Sequence, residues 1–217
     1  MRTFEHSTVA GAIADLGERR RYAPGDLLFV EGDRSHSVYV CLEGRVRIFL
    51  TLPSGRELLV GIKTPGDEFG ELSALDGRPR SASAASIDRT VVAEIRADRF
   101  MELLVEEPHL SVAVCQSLSA ELRRANERLV TRNSDSAVVR TGRMLVELAS
   151  MRMRHGGPEG SFELALTQSD LAGWIGATRE STARALARFR RAGLVETGRG
   201  RITVLDVVGL NRLVATV

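Results

Sequence analysis

Lysine is almost absent: Lys63 is the only one, and every other member of the 30 basic residues in this 217-residue chain is arginine. So uniform a bias is genomic in character, and an arginine here is not by itself a sign that a planar guanidinium was needed. Cysteine is nearly as scarce. Cys41 and Cys115 stand far apart in apolar surroundings with no histidine at a metal-ligand spacing, so they read as buried structural thiols. An iron–sulfur cluster needs about four thiolates and is excluded. His6, His36, His109 and His155 are scattered and form neither a haem or metal ligand set nor a nucleophile–base pair, so no metal and no catalytic residue is expected. No stretch stays apolar for the roughly 20 residues of a bilayer crossing. The opening "MRTFEHSTVAGAIADLGERRR" lacks the apolar core of a signal peptide, and a cytoplasmic protein without membrane contact is expected.

What is present divides by period. From Arg20 to about Arg99 the runs "LLFVEGD", "SVYVCLEG", "RVRIFL", "RELLVGI" and "TVVAEI" recur about every ten residues between turn residues, the pattern of an antiparallel roll or barrel. From Arg99 to about Arg132 turn residues vanish apart from Pro108. Val114, Leu118, Leu122, Ala125 and Leu129 step by fours and a three along a long amphipathic helix. Heptad-like stepping favours a second copy of the chain as cover for this stripe, with the protein's own roll as the alternative. "TRNSDS" breaks the stripe and predicts a hinge near residues 133 to 138. The expected fold is α+β: an antiparallel β-roll over 1–108, a dimerisation helix over 109–134, and a winged helix-turn-helix over 135–217.

In the last segment Thr167 can cap a helix from Gln168 to Ile175, and Thr178 a second helix to about Arg191, with a turn at Gly176 between them. "LVET" and "RITVLD" around "GRGR" predict the hairpin of a wing. Between Thr167 and Arg201 stand seven arginines against Asp170, Glu180 and Glu196, an excess of four positive charges where the whole chain carries +2. Such an excess suits phosphate neutralisation, and double-stranded DNA is the expected partner. The DNA-facing candidates are Thr167, Gln168, Thr178, Arg179, Glu180, Ser181, Arg184 and Arg199. Arg179 and Arg184 can donate two hydrogen bonds to guanine and Glu180 can accept from a cytosine amino group. The competing reading of Glu180 and Arg184 is a surface ion pair.

"FGELSALDGRPRSASA", from Phe69 to Ala84, sets Glu71 and Arg80 among glycines and small residues. Exposed backbone N–H groups beside an arginine fit a phosphate, with Ser81 as a further donor. The acid suits a sugar hydroxyl. This segment resembles the phosphate-binding cassette of cyclic-nucleotide-binding domains, and "YAPGDLLFVEGD" and "VYVCLEGRVRIF" are similar to the preceding roll. With the long helix and "LTQSDLAGWIGATRESTARALARFRRAGLVE", residues 20 to 210 resemble the cyclic AMP receptor protein/FNR superfamily of bacterial transcription regulators.

The resemblance implies a homodimer that takes cyclic AMP as allosteric ligand, cyclic GMP remaining open. Gly70, Glu71, Leu72, Arg80 and Ser81 would hold ribose and phosphate, and the long helix would meet the base at Arg128 and Leu129, with Thr131 the nearest hydroxyl downstream. Arg179, Glu180 and Arg184 fall on base-contacting positions, implying a half-site similar to TGTGA. The loop "RHGGPEG" occupies the place of a contact with RNA polymerase, a solvated loop being the alternative. Two rivals are a family member with a vestigial cassette and a nucleotide-processing enzyme. The enzyme would need a nucleophile, metal cluster or carboxylate pair that the sequence does not place.

Overall fold

The computed structural model describes residues 8–215 except 56, 135, 155–160 and 165, with the backbone alone for 127–134 and 151–154. The side chains of Arg128, Leu129 and Thr131 and the loop from His155 to Gly160 therefore lie outside the description. Contacts divide the chain into two compact units, residues 1–54 with 59–125 and residues 126–217 with 55–58.

The first unit opens with α1 (Val9–Leu16), capped by Thr8, whose Oγ1 accepts the Gly11 N–H at 3.0 Å. Strands β1 (Glu18–Tyr22), β2 (Leu27–Phe29), β3 (Ser37–Glu43), β4 (Val46–Thr51), β5 (Glu57–Lys63) and β6 (Glu68–Phe69) follow. After the short α2 (Glu71–Asp76) come β7 (Ser83–Ser86) and β8 (Thr90–Arg96). They pair as two four-stranded sheets, in the orders β1-β8-β3-β6 and β2-β7-β4-β5.

Because side chains alternate along a strand, β3 feeds two cores. Val38 and Val40 pack with Ile13, Phe100, Leu110 and Val114 of the flanking helices. Tyr39 and Cys41 point the other way and meet Val46, Phe69 and Ala84 inside the roll. Fully burying each such side chain contributes about 1.5–3 kcal/mol.

The one long helix expected from Arg99 is two helices, α3 (Ala97–Glu106) and α4 (Pro108–Ser134). Proline has no N–H to give an i−4 carbonyl, so the chain breaks at Glu107 and Pro108 begins the second helix, where a missing N–H costs nothing. The apolar stripe also divides. Val114 is 3 % exposed and belongs to the roll's own core, and Leu118 packs partly against it. Leu122 is 63 % exposed and Ala125 is exposed, while Val112 and Cys115 add a second outward line. Cys41 is buried as expected, but Cys115 is exposed, because it lies one step round the helix from Val114, which takes the place in the core.

The second unit holds α5 (Ala137–Arg154), β9 (Phe162–Leu164), α6 (Gln168–Ile175), α7 (Arg179–Arg191), β10 (Val195–Gly198), β11 (Arg201–Val204) and α8 (Val207–Ala215). The wing hairpin β10–β11 gains β9 as a third antiparallel strand. Leu145, Leu171, Leu186, Phe189, Ile202 and Leu210 fill the core. The strand β9 and the helices α1 and α8 had no counterpart in the reading from sequence.

Candidate effector and DNA-binding sites

Gly70 joins β6 to α2 with φ 79° and ψ 9°, a left-handed conformation open to glycine. A Cβ there would lie 2.7 Å from Arg80 Nη1 and 3.4 Å from the Tyr39 ring, so close approach also demands glycine. Glu71 starts α2 and is 5 % exposed; Arg80 is equally buried. Leu72 and Ser81 lie at the surface.

Arg80 is held from three sides. Nη1 donates to the Gly70 carbonyl and Nη2 to the Ser37 carbonyl, both at 2.8 Å. Its Cζ sits 4.1 Å from the centre of the Phe29 ring and 5.6 Å from that of Tyr39. Tyr39 stacks on Phe29 and on Phe69, its ring centre 5.4 Å from that of Phe69, and Phe29 and Phe69 meet at a tilt. The backbone around Arg80 is less bare than expected: its N–H donates to Asp33 O at 2.8 Å and its carbonyl accepts from Gly32 at 2.9 Å. Since a guanidinium has five N–H groups, two anchoring bonds leave others for an anion.

Burial raises the Glu71 carboxyl from its ordinary 4.5 to about 7, with Lys63 opposing the shift and Glu121 and Glu68 adding to it. Among the described residues Glu71 makes no ion pair. Lys63 of β5 instead donates to the Glu121 carboxylate on α4. Burial likewise lowers the basicity of Arg80, opposed by Tyr39, Glu71 and Glu94. Lys63, Glu121 and the aromatic platform were not singled out from sequence as site residues, although Lys63 is conspicuous as the sole lysine.

In the second unit Thr167 caps α6 in a reciprocal box, its Oγ1 accepting the Asp170 N–H at 3.1 Å while Asp170 Oδ2 accepts the Thr167 N–H at 2.9 Å. Gln168 is half-buried beside it. Thr178 caps α7, its Oγ1 accepting from Ser181 N at 3.2 Å. Thr182, Ala185, Leu186 and Phe189 bury one face of α7, and Arg179, Glu180, Arg184 and Arg188 stand exposed on the other side. The ion pair considered for Glu180 and Arg184 does not form among the described residues; Arg184 Nη2 donates to Ser181 Oγ at 2.9 Å instead. Arg199 is exposed at the wing tip.

These two sites match two known families. The cyclic nucleotide-binding domain covers residues 19–107 and the Crp-like helix-turn-helix domain residues 139–213. A CRP-like cAMP-activated global transcriptional regulator of Mycobacterium tuberculosis is 31 % identical over 87 % of this chain and 84 % of its own length. The chain belongs to the cyclic AMP receptor protein/FNR family of transcription regulators. Another relative of this family member is the transcriptional activator protein FnrA of Stutzerimonas stutzeri, 28 % identical over 92 % of this chain and 82 % of its own. The c-di-GMP responsive global regulator CLP of Xanthomonas campestris shares the fold, with a TM-score of 0.75 and 23 % identity over 90 % of this chain and 96 % of that one. The Crp-like helix-turn-helix domain and the two curated relatives place this CRP/FNR regulator in transcription control and not among enzymes. No described helix is long and apolar enough to cross a membrane.

Proposed function

We propose that this regulator is a homodimer that binds a cyclic nucleotide, cyclic AMP first, in each roll and a palindromic DNA site through its winged helices. The observation that carries the reading is the burial of Glu71 and Arg80 on either side of Gly70. Charged side chains are almost never this buried unless paired. Arg80 is anchored on carbonyls with N–H groups to spare, and Glu71 is an acceptor to which no cation among the described residues is bonded. A ligand carrying a phosphate and a neighbouring hydroxyl complements both. Cyclic AMP is preferred over cyclic GMP because the 31 % identical relative is named as cAMP-activated. The nucleotide would shift the equilibrium between two arrangements of the recognition helices by binding the DNA-competent one more tightly, through the hinge near residues 133 to 138.

Calorimetry tests the ligand. Heat with cyclic AMP is expected from the native protein, and Arg80→Ala is expected to abolish it while leaving the dimer intact. No heat with cyclic AMP or cyclic GMP at millimolar concentration would defeat the reading.

For DNA, the exposed start of α7 would read base edges and the two recognition helices would meet half-sites about 34 Å apart. Arg184→Ala is expected to cost about 1–3 kcal/mol at the preferred site and to relax specificity at one base pair. Binding assays on the preferred and on random DNA decide this; equal loss on both would make Arg184 a phosphate contact.

For the dimer, Val112, Cys115 and Leu122 follow three- and seven-residue steps along the outward face of α4, the spacing of a seam between paired helices. A two-fold axis along that seam brings Cys115 against its symmetry mate, within the roughly 4.4–6.8 Å between Cα atoms that a disulfide spans. Mild oxidation is expected to cross-link the native protein and not Cys115→Ser. Sedimentation as a monomer at micromolar concentration would count against the dimer.

A further inference from the structure

Arg80 is steadied by groups that are themselves tied to one carboxylate. Ser37 and Tyr39 lie on the same side of β3, two residues apart, and Tyr39 sits directly opposite Glu94 of β8 in the antiparallel register. The Ser37 hydroxyl donates to Glu94 Oε1 at 2.6 Å, and the Tyr39 hydroxyl donates to the same oxygen at 3.2 Å. Ser37 gives Arg80 its carbonyl, and Tyr39 gives it a ring face and stacks on Phe69. Glu94 Oε2 also meets Arg20 Nε of the edge strand β1 at 3.3 Å.

We propose that Glu94 is a positioning residue of the effector site: through Ser37 and Tyr39 it holds the Arg80 guanidinium in the orientation that receives an anionic group of the ligand. This rests on the reading of Arg80 as the phosphate anchor. The competing account makes Glu94 a surface partner of Arg20, with side chains 24 % and 55 % exposed. The two accounts differ in whether Arg80 feels the loss of the carboxylate. A side chain held by packing and a second layer of hydrogen bonds is pre-organised for its ligand; without that layer it samples other rotamers.

The test uses Glu94→Gln, which keeps the shape, and Tyr39→Phe, which removes one donor and keeps the ring. Calorimetry with cyclic AMP is expected to show about tenfold weaker binding for Glu94→Gln, which weakens both hydrogen bonds to the carboxylate, and a smaller loss for Tyr39→Phe, which removes one of them. Glu94→Gln in an Arg80→Lys background is expected to add little further loss, and Arg20→Ala alone is expected to bind nearly as the native chain does. Additive losses from Arg80→Lys and Glu94→Gln would overturn the proposal. A second measurement needs no nucleotide: in arginine-labelled protein the Nη resonances of Arg80, assigned by their loss in Arg80→Lys, are expected to be resolved in the native chain and averaged in Glu94→Gln. Resonances unchanged by Glu94→Gln would overturn the positioning role even if no nucleotide binds, and averaging without nucleotide binding would uphold the positioning role while removing the effector reading.

Discussion

Glu71→Gln is expected to make the protein more stable at pH 8 and a poorer nucleotide binder at the same time. Burial raises the folded-state carboxyl to about 7 against 4.5 for the exposed group. The folded chain therefore holds the proton more tightly than the unfolded chain. Stability from this group is fully present below pH 4.5 and is lost as pH rises through about 7. Above that, the buried carboxylate opposes folding by about 3 kcal/mol. Gln does not titrate, so urea denaturation is expected to show the variant gaining stability over the native protein between pH 4.5 and pH 8, by up to about 3 kcal/mol.

An ionised acid is also the better acceptor for a ligand hydroxyl, so native affinity is expected to fall as pH drops below about 7. The variant is expected to lose about 1.5–3 kcal/mol of binding at pH 8, the range for hydrogen bonds to charged groups. A stability difference that does not change with pH would mean that Glu71 is better hydrated than its burial implies.

Gly44→Ala is expected to make the roll unfold at a markedly lower urea concentration than the native protein. Gly44 turns β3 into β4 at φ 76°, where a side chain costs about 1–2 kcal/mol. A Cβ would also collide with the Arg89 carbonyl and lie 2.8 Å from both Asp88 Oδ1 and Thr90 Oγ1. Asp88 cannot retreat cheaply, because its carboxylate accepts from Arg45 N and Arg45 Nε, each at 2.7 Å. Crowding of this kind costs about 1–3 kcal/mol. Together these terms lower unfolding free energy by about 3 kcal/mol, a large share of the 5–15 kcal/mol typical of a domain. Circular dichroism against urea measures it; a midpoint equal to that of the native protein would show that the turn can shift freely.

Much of the architecture was legible because its causes are local. Ten-residue spacing of β-branched runs announced the roll, Thr167 and Thr178 announced the two helices they cap, and "GRGR" announced the hairpin. The break at Pro108 was missed: the stretch from Arg99 reads as one helix because Pro108 is the single turn residue in it. The partition of its apolar stripe was not legible: Val114 and Leu118 differ from Val112 and Cys115 only by rotation about α4, and which line faces inward depends on where the sheet lies. Lys63 and Glu121 stand 58 residues apart and Ser37 and Glu94 stand 57 apart, separations over which spacing carries no signal.

By itself the sequence determined the roll, the two capped helices of the helix-turn-helix, the wing hairpin and the two motifs whose residue types name a nucleotide pocket and a DNA-reading helix. Each of these depends on a residue and its near neighbours in the chain. Only the tertiary structure decided that Glu71 and Arg80 are both buried, that Arg80 rests on Ser37, Gly70 and an aromatic face, that Glu94 stands behind it, and that Arg184 turns to Ser181 and not to Glu180. Desolvation and long-range pairing arise only when distant segments exclude water from one another, and those effects set the charge and orientation on which both sites act.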